Sequence, residues 1–251
     1  MADIASISGI DIANVAKVSG VSKTSMARFG GITRATTGGI VTTNLVHKYT
    51  AANYSGSGNW LDEVGSRNIV VNGATFSSTT PANFDVDGVN DDLLSTSTFT
   101  RADTDLSFAA WINPDSSSGI VGQTGVIASN GLGAWMIRYN GVLFLYYRSG
   151  RSQTFASSGV SIPNNAWTYI CYSRNAATKN GRLFRFNSGG SGQILSTTTV
   201  AGASLNNQYI AGAGALYRYN GQQGNMQFYD DDLGLTEWTQ NFNAQKANYG
   251  L

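Results

Sequence analysis

Charge is scarce in this chain. Charged residues make up 12% of the 251, about half the ~25% usual in globular proteins. The balance of basic and acidic residues leaves a net charge of +1, which argues against a basic nucleic-acid binder, a local patch aside. A single cysteine, Cys171, excludes an intrachain disulfide framework. A single histidine, His47, cannot build a multi-histidine metal site. Only two acids are glutamates, Glu63 and Glu237, which restricts acid–base chemistry. The longest strongly apolar run, Val142-Leu-Phe-Leu-Tyr-Tyr147, is far short of the ~20 residues of a membrane-spanning helix. The opening Met-Ala-Asp-Ile-Ala-Ser has no basic n-region and no long apolar core. The expectation is a chain made in a cytoplasm-like compartment and kept there until it is assembled, with no membrane and no nucleic acid among its partners.

Glycine, by contrast, is abundant, with 30 residues against a usual ~7%. It falls into two patterns. In the first, an offset of eleven aligns Ile4 with Val15 and Met26, and Ile7 with Val18 and Phe29. The same offset aligns Gly9 with Gly20 and Gly31, and Ile10 with Val21 and Ile32. Four register positions agree over three copies. Ile12, Val15 and Val18 have helical spacing, and a glycine suits a helix C-terminus, so the unit reads as short helical turns alternating with extended Gly-apolar steps. Burying the nine register apolars offsets less than the cost of ordering some thirty backbones. The repeat must therefore pack on its own domain, on sister copies or on another protein. Its regular register disfavours a disordered arm. Residues 1–34 form this anchoring or oligomerisation arm, and 35–44 read as a linker.

From residue 45 to 251 the period becomes two. Ser107–Ile112, Ala134–Tyr139, Val142–Arg148, Trp167–Ser173, Arg182–Phe186 and Asn225–Tyr229 read as strands, and Asn140-Gly141 is a strong hairpin signal. Many short strands with Gly, Asn and Ser turns imply a sandwich or barrel. At the end, Thr236 is positioned to cap a helix, Glu237 suits its positive end, Trp238, Phe242 and Gln245 share a face, and Gly250 stops it.

The body resembles laminin-G/concanavalin A-like domains. The residues that carry the resemblance are Leu45-Val-His-Lys-Tyr-Thr-Ala-Ala-Asn-Tyr-Ser-Gly-Ser-Gly-Asn-Trp60 with Leu61-Asp-Glu-Val-Gly-Ser66, then Phe84-Asp-Val-Asp-Gly-Val-Asn-Asp-Asp92, which is similar to an F-x-G-x-N-D strand with two extra residues before the glycine. Phe108-x-x-Trp-Ile112, Ile162-Pro-Asn-Asn-Ala-Trp167 and the segment Leu233 to Gly250 follow in order. The resemblance implies a mainly β fold: a two-sheet antiparallel jelly-roll sandwich with a C-terminal helix, here preceded by a short repeat arm. The closing helix and the Gly-apolar repeat resemble bacteriophage structural proteins, those of cyanophages especially. They imply a non-enzymatic virion component: a capsid decoration, a head fibre, or a tail or baseplate part. Its partners would be other virion proteins and sister copies, and the analogy with phage fibres points to trimers. The anchoring residues would be Ile4, Ile7, Ile10, Val15, Val18, Val21, Met26, Phe29 and Ile32.

The alternative is a carbohydrate-binding module for host adhesion. Stacking on sugars needs exposed aromatics; Trp135, Tyr139, Tyr217 and Tyr219 are the candidates, with Tyr146 and Tyr147 beside them, although most aromatics in such strands pack the core. Catalysis is disfavoured. A glycosidase needs two carboxylates flanking one bond at ~5–9.5 Å, and Glu63 and Glu237 lie far apart in sequence. The pairs Asp85/Asp87 and Asp103/Asp105 and the run Asp230–Asp232 read as solvated turns. No cofactor is expected, except that Asp85, Asp87 and Asp91 form an oxygen-rich segment of the kind calcium prefers; the plainer reading is a capped turn. Cys171 alternates within an apolar strand and reads as a small buried hydrophobe.

Overall fold

A computed structural model describes residues 38–96, 104–115, 119–123, 134–139, 141–149, 152–197, 209–211 and 219–251, and six two-residue strands before residue 34. For those six strands and for 119–123, 134–139, 146–149, 152–153, 155 and 209–211 it describes the backbone alone. The chain divides into two units, 1–39 and 40–251.

The first unit repeats in structure as it does in sequence. Strands β1 (Ser6–Ile7) and β2 (Ile10–Asp11) pair antiparallel, as do β3 (Lys17–Val18) with β4 (Val21–Ser22) and β5 (Arg28–Phe29) with β6 (Ile32–Thr33). This corrects the helical reading where the residues are described: Val18 is a strand residue, not the end of a helical turn. Two residues separate the partners in sequence, Ser8-Gly9, Ser19-Gly20 and Gly30-Gly31. A two-residue connection with glycine is the composition that primed hairpin turns require. Ile4, Val15 and Met26 lie outside the described residues.

The second unit is the sandwich. One sheet runs in the order β19 (Gly190–Thr197), β18 (Asn180–Asn187), β17 (Thr168–Asn175), β12 (Leu106–Pro114), β21 (Asn220–Tyr229), β10 (Asn83–Asp87) and β9 (Thr75–Ser77). β7 (Leu45–Tyr49) also pairs with β21, along Tyr229 to Met226, while β10 takes Gln223 to Asn220. The facing layer has two groups. They are β20 (Tyr209–Ala211), β11 (Asp92–Ser95) and β8 (Ile69–Asn72), and β13 (Gly119–Gln123), β14 (Ala134–Tyr139), β15 (Val142–Ser149) and β16 (Ser152–Ser161). In the β14–β15 hairpin Tyr139 pairs with Val142, and Gly141 takes φ +78°, as the Asn-Gly signal requires.

β12 and β17 are buried on both faces, which is why they read as continuous apolar runs. Alternate residues divide between two cores. Phe108, Ala110, Ile112, Ile170 and Tyr172 point between the sheets, where they meet Ile69, Leu93, Leu143 and Leu145. Ala109, Trp111, Tyr169 and Cys171 point the other way, under the C-terminal segment. There α1 (Leu235–Gln245) continues into a 3-10 turn, Lys246–Tyr249, and Gly250 ends it at φ +72°. The N-cap is Gly234, not Thr236, which lies one residue inside the helix. Glu237 accepts a hydrogen bond from the Gly234 N–H at 3.0 Å and fixes the first turn. Trp238 is buried against Tyr229 and Tyr169, and Tyr249 stacks on Trp111 at 3.9 Å. Gly224 is required at that contact: a Cβ there would lie 2.5 Å from the Tyr249 hydroxyl and 3.0 Å from the Trp111 Cβ.

A chain of polar groups seats the helix. The Tyr169 hydroxyl donates to Gln227, whose amide donates to Gln245 Oε1. Gln245 in turn donates to the Asn241 carbonyl, and the Asn241 amide donates to the Tyr229 hydroxyl. Tyr229 donates to the Val41 carbonyl, and the Val41 N–H returns to Asn241 Oδ1 at 2.7 Å. Within this chain the polar groups are paired with one another rather than stranded.

Candidate functional site

Several of the described carboxylates are engaged in structural bonds. Asp62 is the clearest case. Its side chain is fully buried and accepts hydrogen bonds from His47 Nδ1 at 2.5 Å and from the N–H groups of Lys48, Val64, Gly65 and Arg67 at 3.0–3.2 Å. Burial alone would raise its pKa, but the bonds from His47, Gly65, Arg67 and Val64 outweigh it and hold the carboxyl at about 2. Gly65 leaves no room for a side chain, since a Cβ would meet the Val46 carbonyl at 2.7 Å. The loop 61–67 is therefore wound around one buried acid. Its neighbour Glu63 binds Lys48 Nζ at 2.6 Å and the Thr50 N–H at 2.7 Å.

Several other acids have similar roles. Asp105 accepts from the Ala176 N–H, Asp232 pairs with Arg182, and Asp231 accepts from Asn44 and from the Asp232 N–H. Asp103 lies outside the described residues. Asp87 Oδ1 takes the N–H groups of Val89, Asn90 and Asp91, and Asp91 Oδ2 takes the N–H of Asp87. That is the geometry of a capped turn, closed by Gly88 at φ +72°. Asp85 sits on β10, facing away from Phe84 and Val86. Its carboxyl is pushed up by partial desolvation and then by the charges of Asp115 and Asp87. Among the described residues no group of three or more His, Cys, Asp or Glu is placed to hold a metal ion. Cys171 is buried, and burial raises its thiol well above the ordinary range.

The aromatic candidates separate. Tyr219 is 1% exposed, packs in the core between the sheets, and donates its hydroxyl to the Gln222 carbonyl at 2.8 Å. It is a core residue, not a sugar platform. Tyr219 directly precedes β21, which carries it into the core. Tyr217 lies outside the described residues.

Trp135 and Tyr139 belong to the β13–β16 group, and the register assigns their face. Leu143 and Leu145 of β15 are fully buried in the intersheet core, and Ala156 of β16 packs on it. Ser157 and Ser161 of β16 are exposed. Successive strand residues lie on opposite faces, so Val142, Phe144 and Tyr146 belong to the outer face with their cross-strand partners. Those partners are Tyr139, Ile137 and Trp135 on β14, and Phe155, opposite Tyr146, on β16. One row therefore runs Trp135, Tyr146, Phe155 across three adjacent strands, about 4.8 Å apart. Gln123 of β13 extends it beyond Trp135. Tyr147 pairs with Ala134 and belongs to the inner set. Phe155 was not legible as part of a site, since β16, Ser152–Ser161, reads as a turn-like Ser-rich segment until its pairing is known.

The two layers thus differ on their outer sides. α1 closes much of one; on the other the register gathers aromatic positions into a cross-strand row.

Residues 87–237 match the family model of the concanavalin A-like lectin/glucanases superfamily. No curated protein matches the sequence. Among solved structures, domain 4 of AbnA, an extracellular arabinanase of Geobacillus stearothermophilus in complex with arabinotriose, aligns with a TM-score of 0.58. Identity is 15%, over 78% of this chain and 97% of that one. The binding domain of botulinum neurotoxin DC in complex with SialylT gives 0.59 at 12% identity, over 80% of this chain and 51% of that one. The Trypanosoma rangeli sialidase in complex with the inhibitor DANA gives 0.58 at 15%, over 83% and 34%. The chain spans about half of that neurotoxin domain and a third of the sialidase. At these identities the likeness is one of fold: two antiparallel sheets packed as a jelly-roll sandwich. With more than half of its length matched by the family model, the chain belongs to the concanavalin A-like lectin/glucanase superfamily.

Proposed function

We propose that this chain is a non-enzymatic structural protein of a bacteriophage virion, attached through its N-terminal repeat and projecting a sandwich that binds carbohydrate. The observation that carries the binding role is the outer-face row Trp135, Tyr146, Phe155. Aromatic residues at register positions on one face are the residue types that stack on sugar rings. The solved neighbours with arabinotriose and SialylT support the same reading by fold. The non-enzymatic role rests on the carboxylates: Asp62, Glu63, Asp105, Asp232 and Glu237 are each held by structural bonds, where a glycosidase needs an opposed pair across a cleft. The attached role rests on three hairpins of one period preceding a sandwich with its own two cores.

The test is a glycan array probed with the full chain, followed by titration of each ligand found. Trp135→Ala and Tyr146→Ala weaken binding at least about tenfold, ~1.4 kcal/mol, with unchanged far-UV circular dichroism and thermal midpoint. An array without a ligand refutes the carbohydrate role. Deletion of residues 1–34 leaves a folded sandwich that no longer enters particles, assayed by mass spectrometry of purified virions; normal incorporation refutes the anchoring role.

A further inference from the structure

Between Asp115 and Asp230 the sequence has eight basic residues and no acidic one. Strands β13 to β20 lie in this span. Their cations must therefore reach carbonyl groups, reach carboxylates from elsewhere in the chain, or stay unpaired. On β17 and β18 two arginines find partners. Arg174 donates to the Thr104 carbonyl at 3.1 Å, and Arg182 pairs with Asp232. Arg185 does not. Among the described residues its guanidinium meets no carboxylate, and its Nε is closed off from solvent without a hydrogen-bond partner.

Arg185 is half-buried and occupies an inward register position. It lies opposite Ile170 of β17, a residue of the core between the sheets. Burying charge there is costly unless the charge is paired. An inward charge can serve to block pairing at the margin of a sheet, but the margin strand is β19, not β18. On β19 the positions that face Arg185 hold no side chain. Gly192 is directly opposite and Gly190 is two residues away, at φ +149° and +144°. A Cβ at Gly190 would lie 2.7 Å from Arg185 Nη2, whereas one at Gly192 would meet nothing within 4 Å. The guanidinium therefore lies over bare backbone, with open space beside it, near the end of the β18–β19 hairpin.

We propose that Arg185 anchors an oxyanion site at this margin, where the open space over Gly192 receives a carboxylate or sulfate group. The arginine fork matches a carboxylate through two parallel N–H···O bonds and suits tetrahedral oxyanions as well. The acid-free span keeps competing carboxylates of the same segment out of the fork, and its positive balance attracts anions. The site is separate from the row Trp135, Tyr146, Phe155, which belongs to the outer face of the other layer. Carried on a sugar, the group makes the ligand an acidic saccharide; that step rests on the carbohydrate reading, and the oxyanion site itself does not.

Calorimetric titration of the full chain tests both. The probes are inorganic sulfate, acetate, a galacturonic acid trimer, a sulfated galactose trimer and the neutral galactose trimer. An acidic trimer binds at least about tenfold more tightly than the neutral one, and the better of the two acidic trimers identifies the group. Arg185→Met keeps the apolar stem, removes the charge and abolishes this preference. Without ligand that variant melts no lower than the wild type, whereas loss of a merely structural arginine would lower the midpoint. Arg185→Lys keeps the charge without the fork and retains only part of the preference. Gly190→Ala displaces the guanidinium and weakens binding at least about threefold. Sulfate or acetate bound through Arg185, with no trimer bound, supports the site and refutes its saccharide ligand. The proposal is overturned if no anion binds, if acidic and neutral trimers bind alike, or if the acidic trimer is indifferent to Arg185→Met.

Discussion

Replacing Asp62 by alanine removes the acceptor around which the loop 61–67 is wound. Five donors lose their partner at once: His47 Nδ1 and the N–H groups of Lys48, Val64, Gly65 and Arg67. Hydrogen bonds to a charged group contribute roughly 1.5–3 kcal/mol each, but they share one carboxylate and are not additive. Breaking a buried pair by removing one member costs about 3–5 kcal/mol, and that is the expected loss for Asp62→Ala. The charge itself has a separate signature. The carboxyl falls from 3.8 unfolded to about 2 folded, equivalent to about 2 kcal/mol. Because the folded value is the lower one, this stability is fully present above about pH 4 and is lost as pH falls through about 2. Urea denaturation of the full chain at pH 7, and at steps from pH 5 to pH 2, measures both quantities. Asp62→Asn keeps the shape and flattens the acid limb by about 2 kcal/mol. A loss for Asp62→Ala below about 0.5 kcal/mol, the range of an ordinary surface substitution, would refute the reasoning. An acid limb for Asp62→Asn parallel to the wild type would refute the charge argument.

Two further outcomes follow from the packing. Gly224→Ala places a methyl group against the Tyr249 hydroxyl and the Trp111 Cβ, costing about 1–3 kcal/mol; it appears as a lower thermal midpoint with a changed near-UV signal from Trp111. Tyr219→Phe removes the hydroxyl bond to the Gln222 carbonyl and costs about 1 kcal/mol in urea, while affinity for any glycan found on an array is unchanged.

Much of the sandwich was legible because its central strands have a simple signature. β12 and β17, buried on both faces, read as apolar runs, and β14 and β15 were marked by the Asn-Gly between them. The missed strands share a different physics. β16 and β19 lie at sheet edges and have exposed residues at alternate positions, so Ser, Gly and Thr suffice there and their composition looks like turn. The hairpins of the first unit were misread as partly helical because Ile12, Val15 and Val18 satisfy helical spacing, while the competing signal, a glycine within a two-residue connection, is local. The site was legible only in part. Trp135 and Tyr139 could be named as aromatics on a strand, but the row that joins Trp135 to Tyr146 and Phe155 exists only through cross-strand register. Tyr219 was misplaced because the Asn220-Gly221 that follows it looks like a turn in sequence but opens β21, which carries Tyr219 into the core.

The hydrogen bonds at Val41 have a mechanical consequence. Its carbonyl is held by Tyr229 on β21 and its N–H by Asn241 on α1; four residues on, Leu45 pairs with Tyr229. β21 is flanked by β12 on one side and by β7 and β10 on the other. Tension transmitted along the backbone ahead of Val41 is therefore delivered to an interior strand and to the closing helix together, rather than peeling a strand from the margin of a sheet. A sandwich whose leading segment is held in this way resists a load applied ahead of Val41, and its weakest point under that load is the seat of the helix, where Trp238, Asn241 and Gln245 meet the sheet.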